Sequence, residues 1–377
     1  MAFDGRNAWD ALDDPTGARR TPTRYPPPMI RVGFDASPLA RPHPPGVQRV
    51  VAETLRALEA RGRLEVVRLA PGPSEDLRRW RQRTLPGEVR RQNLLGLHSF
   101  VSAFPLRACG KRVQTIHELP WLHGVKENAD WRHRLWPRLG SWRADAIVTA
   151  TRRTARDLGG KTRERGGKVV VIPWGVDLER FNEEPEPGTV DEPLLDRYRI
   201  GEGPFALALG AVRAKKNLPS LLHGLARLKE RGSTVPQVVV TGGDTPDLRR
   251  DLGLVQKLGL SRYVSTKDLI EEEDLPGLLR LAALVPVLSR SEGFGLPVLE
   301  ALACGTPVLV PRDSAQAEVA GEEAIVVDPD DPDSVADGIA AAIERREELR
   351  YILPDRAREF PWTRTAEAIE ELWTSFV

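Results

Sequence analysis

The sequence predicts two α/β domains, each a parallel sheet covered by helices on both faces. Three observations point there. Short β-rich runs alternate with amphipathic helical stretches along most of the chain. These runs fall into two series, separated by the acidic, proline-rich stretch Glu183-Glu184-Pro185-Glu186-Pro187-Gly188. The length of 377 residues also exceeds the size, roughly 250–300 residues, at which a single core stops growing.

The elements follow in order. Residues 1–28 are rich in Asp, Arg, Pro and Gly, end in Tyr25-Pro26-Pro27-Pro28, and read as a flexible tail, with Met29 as an alternative start. Strands are expected at 30–36, 64–69, 112–117, 145–150 and 168–173, and a second series at 205–210, 237–242, 284–288, 307–311 and 324–328. Over 46–62, Val47, Val50, Val51, Leu55 and Leu58 recur at helical spacing, and 218–231 and 333–349 read the same way. The expected organisation is a tail at 1–28, an N-terminal domain at 29–182, a C-terminal domain at 183–358 and a last helix within 359–377.

Composition excludes several classes. Lys and Arg number 55 against 54 Asp and Glu, and the near-neutral total argues against a nucleic-acid binder. The balance hides a split: residues 1–182 carry a formal +14 and residues 183–377 a formal −13. Cys109 and Cys304 are far apart and form no metal-ligand spacing, which suits a reducing compartment and excludes a disulfide scaffold. No apolar run approaches the roughly 20 residues of a spanning helix, and the N-terminus has no apolar signal core, so a cytoplasmic location is expected.

The most informative segment is Ser291-Glu292-Gly293-Phe294-Gly295-Leu296-Pro297-Val298-Leu299-Glu300-Ala301, which follows an expected strand and opens an expected helix. Pro297 suits a first helical position. Gly293 and Gly295 lack a Cβ, so a ligand can approach the backbone closely. The free N–H groups at the helix start suit an anion or sugar hydroxyls. Glu292 and Glu300, as acceptor-only carboxylates, can each take hydrogen bonds from a polyol. Taken alone, such a stretch reads more readily as a glycine loop before a core helix with two surface glutamates than as a binding site.

The whole context resembles the retaining glycosyltransferases of family 4, also called group 1, with the two-domain GT-B fold. Glu292 and Glu300, with Gly-Phe-Gly-Leu-Pro between them, match that family's signature, as does Ala301-Leu302-Ala303-Cys304-Gly305-Thr306-Pro307-Val308. Residues 205–218 resemble its strand, phosphate loop and helix start, and Ile172-Pro173-Trp174-Gly175-Val176-Asp177 the end of its first domain. Pro361-Trp362-Thr363 and the helix after it resemble the segment that crosses back onto the N-terminal domain.

The resemblance implies roles residue by residue. Glu300 would hold the donor ribose and Glu292 the hydroxyls of the transferred sugar. The backbone at Gly293, Phe294, Gly295 and Leu296 would contact sugar or phosphate. In Val212-Arg213-Ala214-Lys215-Lys216-Asn217-Leu218, Lys216 and either Arg213 or Lys215 would pair with the diphosphate, with Asn217 beside them. A fixed cation there favours the leaving phosphate more in the transition state than in the ground state. This removes the need for a metal, so no metal or cofactor is expected. Gly46, in the loop Pro42-His43-Pro44-Pro45-Gly46, would let the helix start meet a phosphate. His117, at the end of an expected strand, would lie near the reacting sugar, with Glu118 in place of the usual aspartate.

Other signals fail. No G-x-G-x-x-G or G-x-x-x-x-G-K-[ST] pattern opens a helix. Asp328-Pro329-Asp330-Asp331-Pro332-Asp333 reads as a turn and helix cap rather than a metal cluster. The implied reaction is metal-independent, retaining transfer of a hexose, with a lean to mannose, from a nucleotide-diphosphate sugar held mainly by the C-terminal domain. The acceptor would be a glycan or lipid-linked molecule approaching from the N-terminal domain, in envelope or exopolysaccharide synthesis. The departing phosphate would help deprotonate the acceptor, so no protein nucleophile is required, and domain closure would exclude water. The alternatives are a GT-B epimerase or hydrolase and a non-catalytic sugar-nucleotide-binding partner. Residues 263–269 depart from the family's usual base-facing pattern, and Trp174 replaces its usual asparagine. The basic N-terminal half would dock on anionic lipid or a lipid phosphate, or else face the acidic half.

Overall fold

The computed structural model describes residues 29–107, 109–126, 131–159, 167–185, 190–268 and 270–377. The expected tail at 1–28 and part of the acidic stretch, 186–188, lie outside the described residues. The chain divides into two compact units. The first comprises the described residues of Met1–Leu119, Ala129–Gly175 and Trp362–Val377, and the second those of Pro120–Asn128 and Val176–Pro361.

The first unit is built on six parallel strands: β1 (Ile30–Asp35), β2 (Leu64–Leu69), β3 (Gly96–Ser99), β4 (Lys111–Thr115), β5 (Ala146–Thr149) and β6 (Val169–Val171). Their order is β2-β1-β3-β4-β5-β6, so the winding reverses between β1 and β3. Strand β3 is absent from the expected set. Its sequence, Gly-Leu-His-Ser, has neither alternation nor a β-branched run, yet all four residues are buried. Gly96 is required by packing: a Cβ there would lie 2.0 Å from the carbonyl oxygen of Lys111 on β4.

The helix Pro45–Arg61 starts on a proline, whose missing N–H costs nothing there, and ends at Gly62 in the left-handed region. It buries Val50, Val51, Leu55 and Leu58, four of the five expected apolar positions. The last helix, Trp362–Thr374, packs against it within the same unit. Arg61 bridges to Glu370 at 2.9 Å and Glu367 at 3.3 Å. The Thr365 hydroxyl donates to the Pro173 carbonyl at 2.8 Å. Gly175 lies so close to this segment that a Cβ would stand 2.5 Å from the Trp362 nitrogen. The C-terminal crossing expected from Pro361-Trp362-Thr363 is therefore present.

The second unit carries β7 (Phe205–Ala208), β8 (Gln237–Val240) and β9 (Val264–Thr266) in one parallel run, and β10 (Val285–Pro286), β11 (Val308–Pro311) and β12 (Ile325–Val327) in another. A bridge between Ala206 and Leu284 joins the runs, with Leu207 N–H donating to Leu284 at 3.0 Å and Ala283 N–H to Phe205 at 2.8 Å. The six strands thus lie in the order β9-β8-β7-β10-β11-β12, the doubly wound arrangement whose reversal falls between β7 and β10. The core fills with Leu221, Leu222 and Leu225 of the Leu218–Glu230 helix and Val335 and Ile339 of the Pro332–Glu344 helix. The Asp328–Asp333 segment is a turn and cap, the Asp331 carboxylate accepting the Asp333 N–H at 3.0 Å. Among the described residues no group of His, Cys, Asp and Glu is placed to hold a metal ion.

Candidate functional site

The reversal between β7 and β10 puts two loops side by side at the carboxyl ends of the strands, where open α/β sheets bind ligands. One loop runs from β7 through Gly210 to Asn217; the other runs from β10 to Gly295. They are tied by Arg290 N–H donating to the Lys215 carbonyl at 2.8 Å. Between them lies a cleft of ≈ 530 Å³, open to solvent and lined by Gly210, Lys216, Asn217, Ser289 and Pro297 over an apolar floor that includes Leu221.

Lys216 Nζ donates to Glu292 Oε1 at 2.8 Å, and the Ser289 hydroxyl donates to the same oxygen at 3.1 Å. Burial pushes Glu292 up, but the ammonium groups of Lys216 and Lys215 and these two hydrogen bonds outweigh it, leaving the carboxyl below the ordinary glutamate value. Glu292 is therefore ionised at neutral pH, a fixed hydrogen-bond acceptor at the mouth of the loop.

The first loop is shaped by turns. Lys216 N–H closes onto the Arg213 carbonyl at 2.8 Å in a short 3-10 turn, Ala214–Lys216. Asn217 then takes the left-handed conformation and starts the Leu218–Glu230 helix, with its Nδ2 buried and unpartnered in the cleft wall. Arg213 is exposed at the start of this turn. The second loop ends at Gly295, with φ +100, which caps the helix Leu296–Ala303. Gly293 and Phe294 are buried; Phe294 packs edge-on against Phe360 at 6.2 Å, so its ring is committed to the core. Leu296 is partly exposed at the first helical position, and Glu300 is buried within the helix.

The structure thus brings Lys216 and Asn217 to one cleft, with Glu292 hydrogen-bonded to Lys216 beside it and Gly293, Gly295 and Glu300 in the adjoining loop and helix. His117 and Gly46 lie in the first unit. The His117 ring pairs its Nε2 with the Phe100 carbonyl at 2.8 Å, which requires the proton on Nε2, and it tilts against Trp174 at 5.9 Å. Trp174, the residue standing where the family usually has asparagine, is buried as the wall behind that ring. Burial lowers the His117 pKa despite the Phe100 contact, so the ring is neutral at pH 7 with Nδ1 as acceptor.

Gly46 is exposed in the first turn of its helix, and a Cβ placed on it would meet no atom within 4 Å. Gly46→Ala is expected to leave the thermal midpoint unchanged or raise it, since alanine favours the helix by about 0.4–1 kcal/mol. A fall in donor affinity with no fall in the midpoint would mark a ligand contact; unchanged affinity would remove Gly46 from the site.

Several residues escape the sequence motifs. Ser289 fixes Glu292, and Gln316 donates to the Ser289 carbonyl at 3.0 Å. The Asp247 carboxylate accepts the Ala214 N–H at 2.9 Å, holding the Ala214–Lys216 turn from another helix. At the reversal of the first unit, Asp35 is wholly buried, accepts from Ser37 N–H at 2.9 Å and Ser99 Oγ at 3.3 Å, and faces Arg81 at 3.6 Å. Each contact joins residues remote in sequence or lies outside any recurring spacing, so no local signal marks it.

Two doubly wound units, with Glu292 in the loop and Glu300 in the helix at the second reversal, define a GT-B protein. Residues 195–360 match the family model described as glycosyl transferases group 1. The chain is 30% identical over 295 residues to a D-inositol 3-phosphate glycosyltransferase of Corynebacterium jeikeium, covering 70% of this chain and 68% of that one. It is 31% identical over 210 residues to an MMP alpha-(1->4)-mannosyltransferase of Mycolicibacterium hassiacum, covering 55% of this chain and 47% of that one. The chain belongs to the glycosyltransferase group 1 family, family 4, a retaining family. It spans about half to two thirds of the length of these curated relatives. Its fold is that of a sucrose-phosphate synthase from Thermosynechococcus elongatus, with a TM-score of 0.71 at 20% identity over 92% of this chain and 99% of that one. It is likewise that of HepE from Anabaena in complex with UDP-glucose, with a TM-score of 0.70 at 16% identity over 92% of this chain and 100% of that one.

Proposed function

We propose that this glycosyltransferase moves a hexose from a nucleotide-diphosphate sugar to a hydroxyl of a glycan or lipid-linked acceptor, with retention of configuration. The observation that carries the reading is the Lys216–Glu292 contact at the cleft where the second sheet reverses. A nucleotide diphosphate matches Lys216 and the Asn217 amide; hydroxyls of the transferred sugar match Glu292, and a ribose matches Glu300. Either Arg213 or Lys215 supplies the second cation. The binding of UDP-glucose by HepE, which shares this fold, supports a nucleotide-sugar donor. The mannosyltransferase name of the M. hassiacum relative supports a lean to mannose.

In this reading the donor is bound by the second unit. Lys216 neutralises charge that grows on the leaving diphosphate, so its interaction strengthens as the glycosidic bond breaks. Glu292, kept ionised by Lys216 and Ser289, orients the sugar and stabilises positive charge developing at its anomeric carbon. The neutral His117 offers Nδ1 to a substrate hydroxyl. The departing phosphate oxygen takes the acceptor proton, so the protein supplies neither nucleophile nor metal. EDTA is expected to leave the rate unchanged.

The test is incubation with GDP-mannose and UDP-glucose in turn, with and without a panel of glycan and lipid-linked acceptors. Donor consumption that needs an acceptor and yields an α-linked product is the expected result. Acceptor-independent release of free sugar or an epimer would replace the reading with the hydrolase or epimerase alternative. Donor binding with no turnover under any condition would leave only a non-catalytic binding partner.

A further inference from the structure

The helix Trp131–Arg143, in the first unit, has an inner and an outer face of opposite character. Its inner face is pinned to the sheet. Pro137 and Gly140 are buried, and Gly140 sits so near β4 that a Cβ would fall 1.6 Å from the Gln114 side-chain oxygen. Trp136 packs edge-on against Phe104 at 6.3 Å. The outer face is apolar where a soluble surface is normally polar. Trp131 is 68% exposed, Leu135 39% and Trp142 70%. These three recur four and seven residues apart, so they form one stripe along the axis. The stripe is opposite the buried Gly140.

Guanidinium groups frame this stripe. Arg138 lies within it, while Arg134 and Arg143 lie on either side, and all three are exposed. The Arg143 guanidinium rests over the Trp142 ring at 4.5 Å, which leaves the indole edge and the charge at the same level. No aspartate or glutamate occurs between Trp131 and Arg143. Large aromatic rings among arginines, on a helix of about 20 Å that is fixed from behind, match the interface between lipid headgroups and acyl chains. Tryptophan is favoured at that depth because its ring is apolar and its N–H is polar.

We propose that the outer face of the Trp131–Arg143 helix docks this protein on an anionic lipid bilayer. Four of the arginines behind the formal +14 of residues 1–182 lie on this helix. A second copy of the chain is a poorer occupant, because an isologous contact would set Arg134, Arg138 and Arg143 against their own equivalents. Among the described residues no helix is long and apolar enough to cross a membrane, so contact through this face is attachment to the surface. The inference rests on no assignment of donor or acceptor, so it stands or falls separately from the proposed reaction.

The experiment is co-sedimentation of the full chain with vesicles of phosphatidylcholine alone and of phosphatidylcholine with phosphatidylglycerol, at low and high salt. Expected is binding to the anionic vesicles at low salt, at least about tenfold weaker to neutral ones and weakened by salt. Trp131→Ala with Trp142→Ala is expected to weaken anionic binding about tenfold or more, and Arg134→Glu with Arg138→Glu to abolish it. Far-UV circular dichroism and the thermal midpoint of both double variants should match the parent, because all four side chains are exposed. Equal binding to neutral and anionic vesicles, or full binding by either double variant, overturns the proposal. So does a parent that sediments as a dimer which the tryptophan double variant dissociates, an outcome that makes this face a self-contact.

Discussion

Lys216→Met is expected to lower kcat by about 10²–10³-fold, the usual loss when one preorganised charge that meets developing negative charge is removed. Donor KM should change less, because the charge on the leaving phosphate is greatest in the transition state. Methionine keeps the length of the side chain and removes only the cation. The same variant has a second, independent signature. With Lys216 gone, its charge and its hydrogen bond no longer lower Glu292, so the pKa should rise from the parent's lowered value, while Lys215 and Ser289 still oppose the effect of burial.

The pH dependence of stability then weakens. In the parent, the lowered pKa of Glu292 means that its ionisation stabilises the fold above the ordinary glutamate range. That contribution is lost as pH falls through the lowered value. In Lys216→Met the pKa moves up from its lowered value, so the stabilisation that Glu292 gains on ionising should shrink. Thermal midpoints of both proteins measured from acid to neutral pH will separate the two behaviours. A midpoint difference independent of pH would show that the pair at 2.8 Å does not govern Glu292, and an unchanged kcat would remove Lys216 from the leaving-group site.

Gly96→Ala should be among the most destabilising single substitutions in the first unit, costing about 3 kcal/mol or more. The obstacle is backbone, not a side chain: the added carbon would lie 2.0 Å from the Lys111 oxygen and 2.7 Å from its carbon. Strand β4 cannot turn a rotamer to make room, so β3 and β4 must separate and give up the ladder between Gly96 and Lys111. Valine in the same place would be worse. Urea unfolding followed by circular dichroism measures the loss, with Gly46→Ala as a matched control whose new methyl meets nothing. A loss below about 1 kcal/mol would mean that the central strands of this sheet are spaced loosely enough to accept a methyl group, contrary to the packing of protein interiors.

The contrast between these two residues shows how far the chain can be read before it is folded. Lys216 and Glu292 are each visible, because each belongs to a strand–loop–helix segment with its own glycine, proline and charge pattern. Gly96 is not, since Gly-Leu-His-Ser carries no periodicity; its strand exists because neighbours on both sides supply hydrogen bonds and bury it. Val264–Thr266 also escapes the strand pattern, being three residues at the sheet edge held by the Val238–Val240 ladder. Trp174 reads as a departure from a familiar pattern, and its use, as the wall against His117, is a contact 57 positions away. The exposed stripe of Trp131, Leu135 and Trp142 follows a helical spacing that would ordinarily mark a buried face. Only packing shows that Pro137 and Gly140 take the inward side.

The family signature, the two-series alternation of strands and helices, and the chemistry available in the Glu292–Glu300 loop can all be read from the unfolded chain. They are properties of short contiguous stretches, and local backbone preference and side-chain spacing are enough to reveal them. Folding was needed to bring Lys216 onto Glu292, 76 positions along the chain, and to set Ser289 and Asp247 where they hold the two loops in place. Those contacts depend on β7 and β10 lying side by side, and strand order is set by how whole helices cover a twisted sheet rather than by any residue near the site.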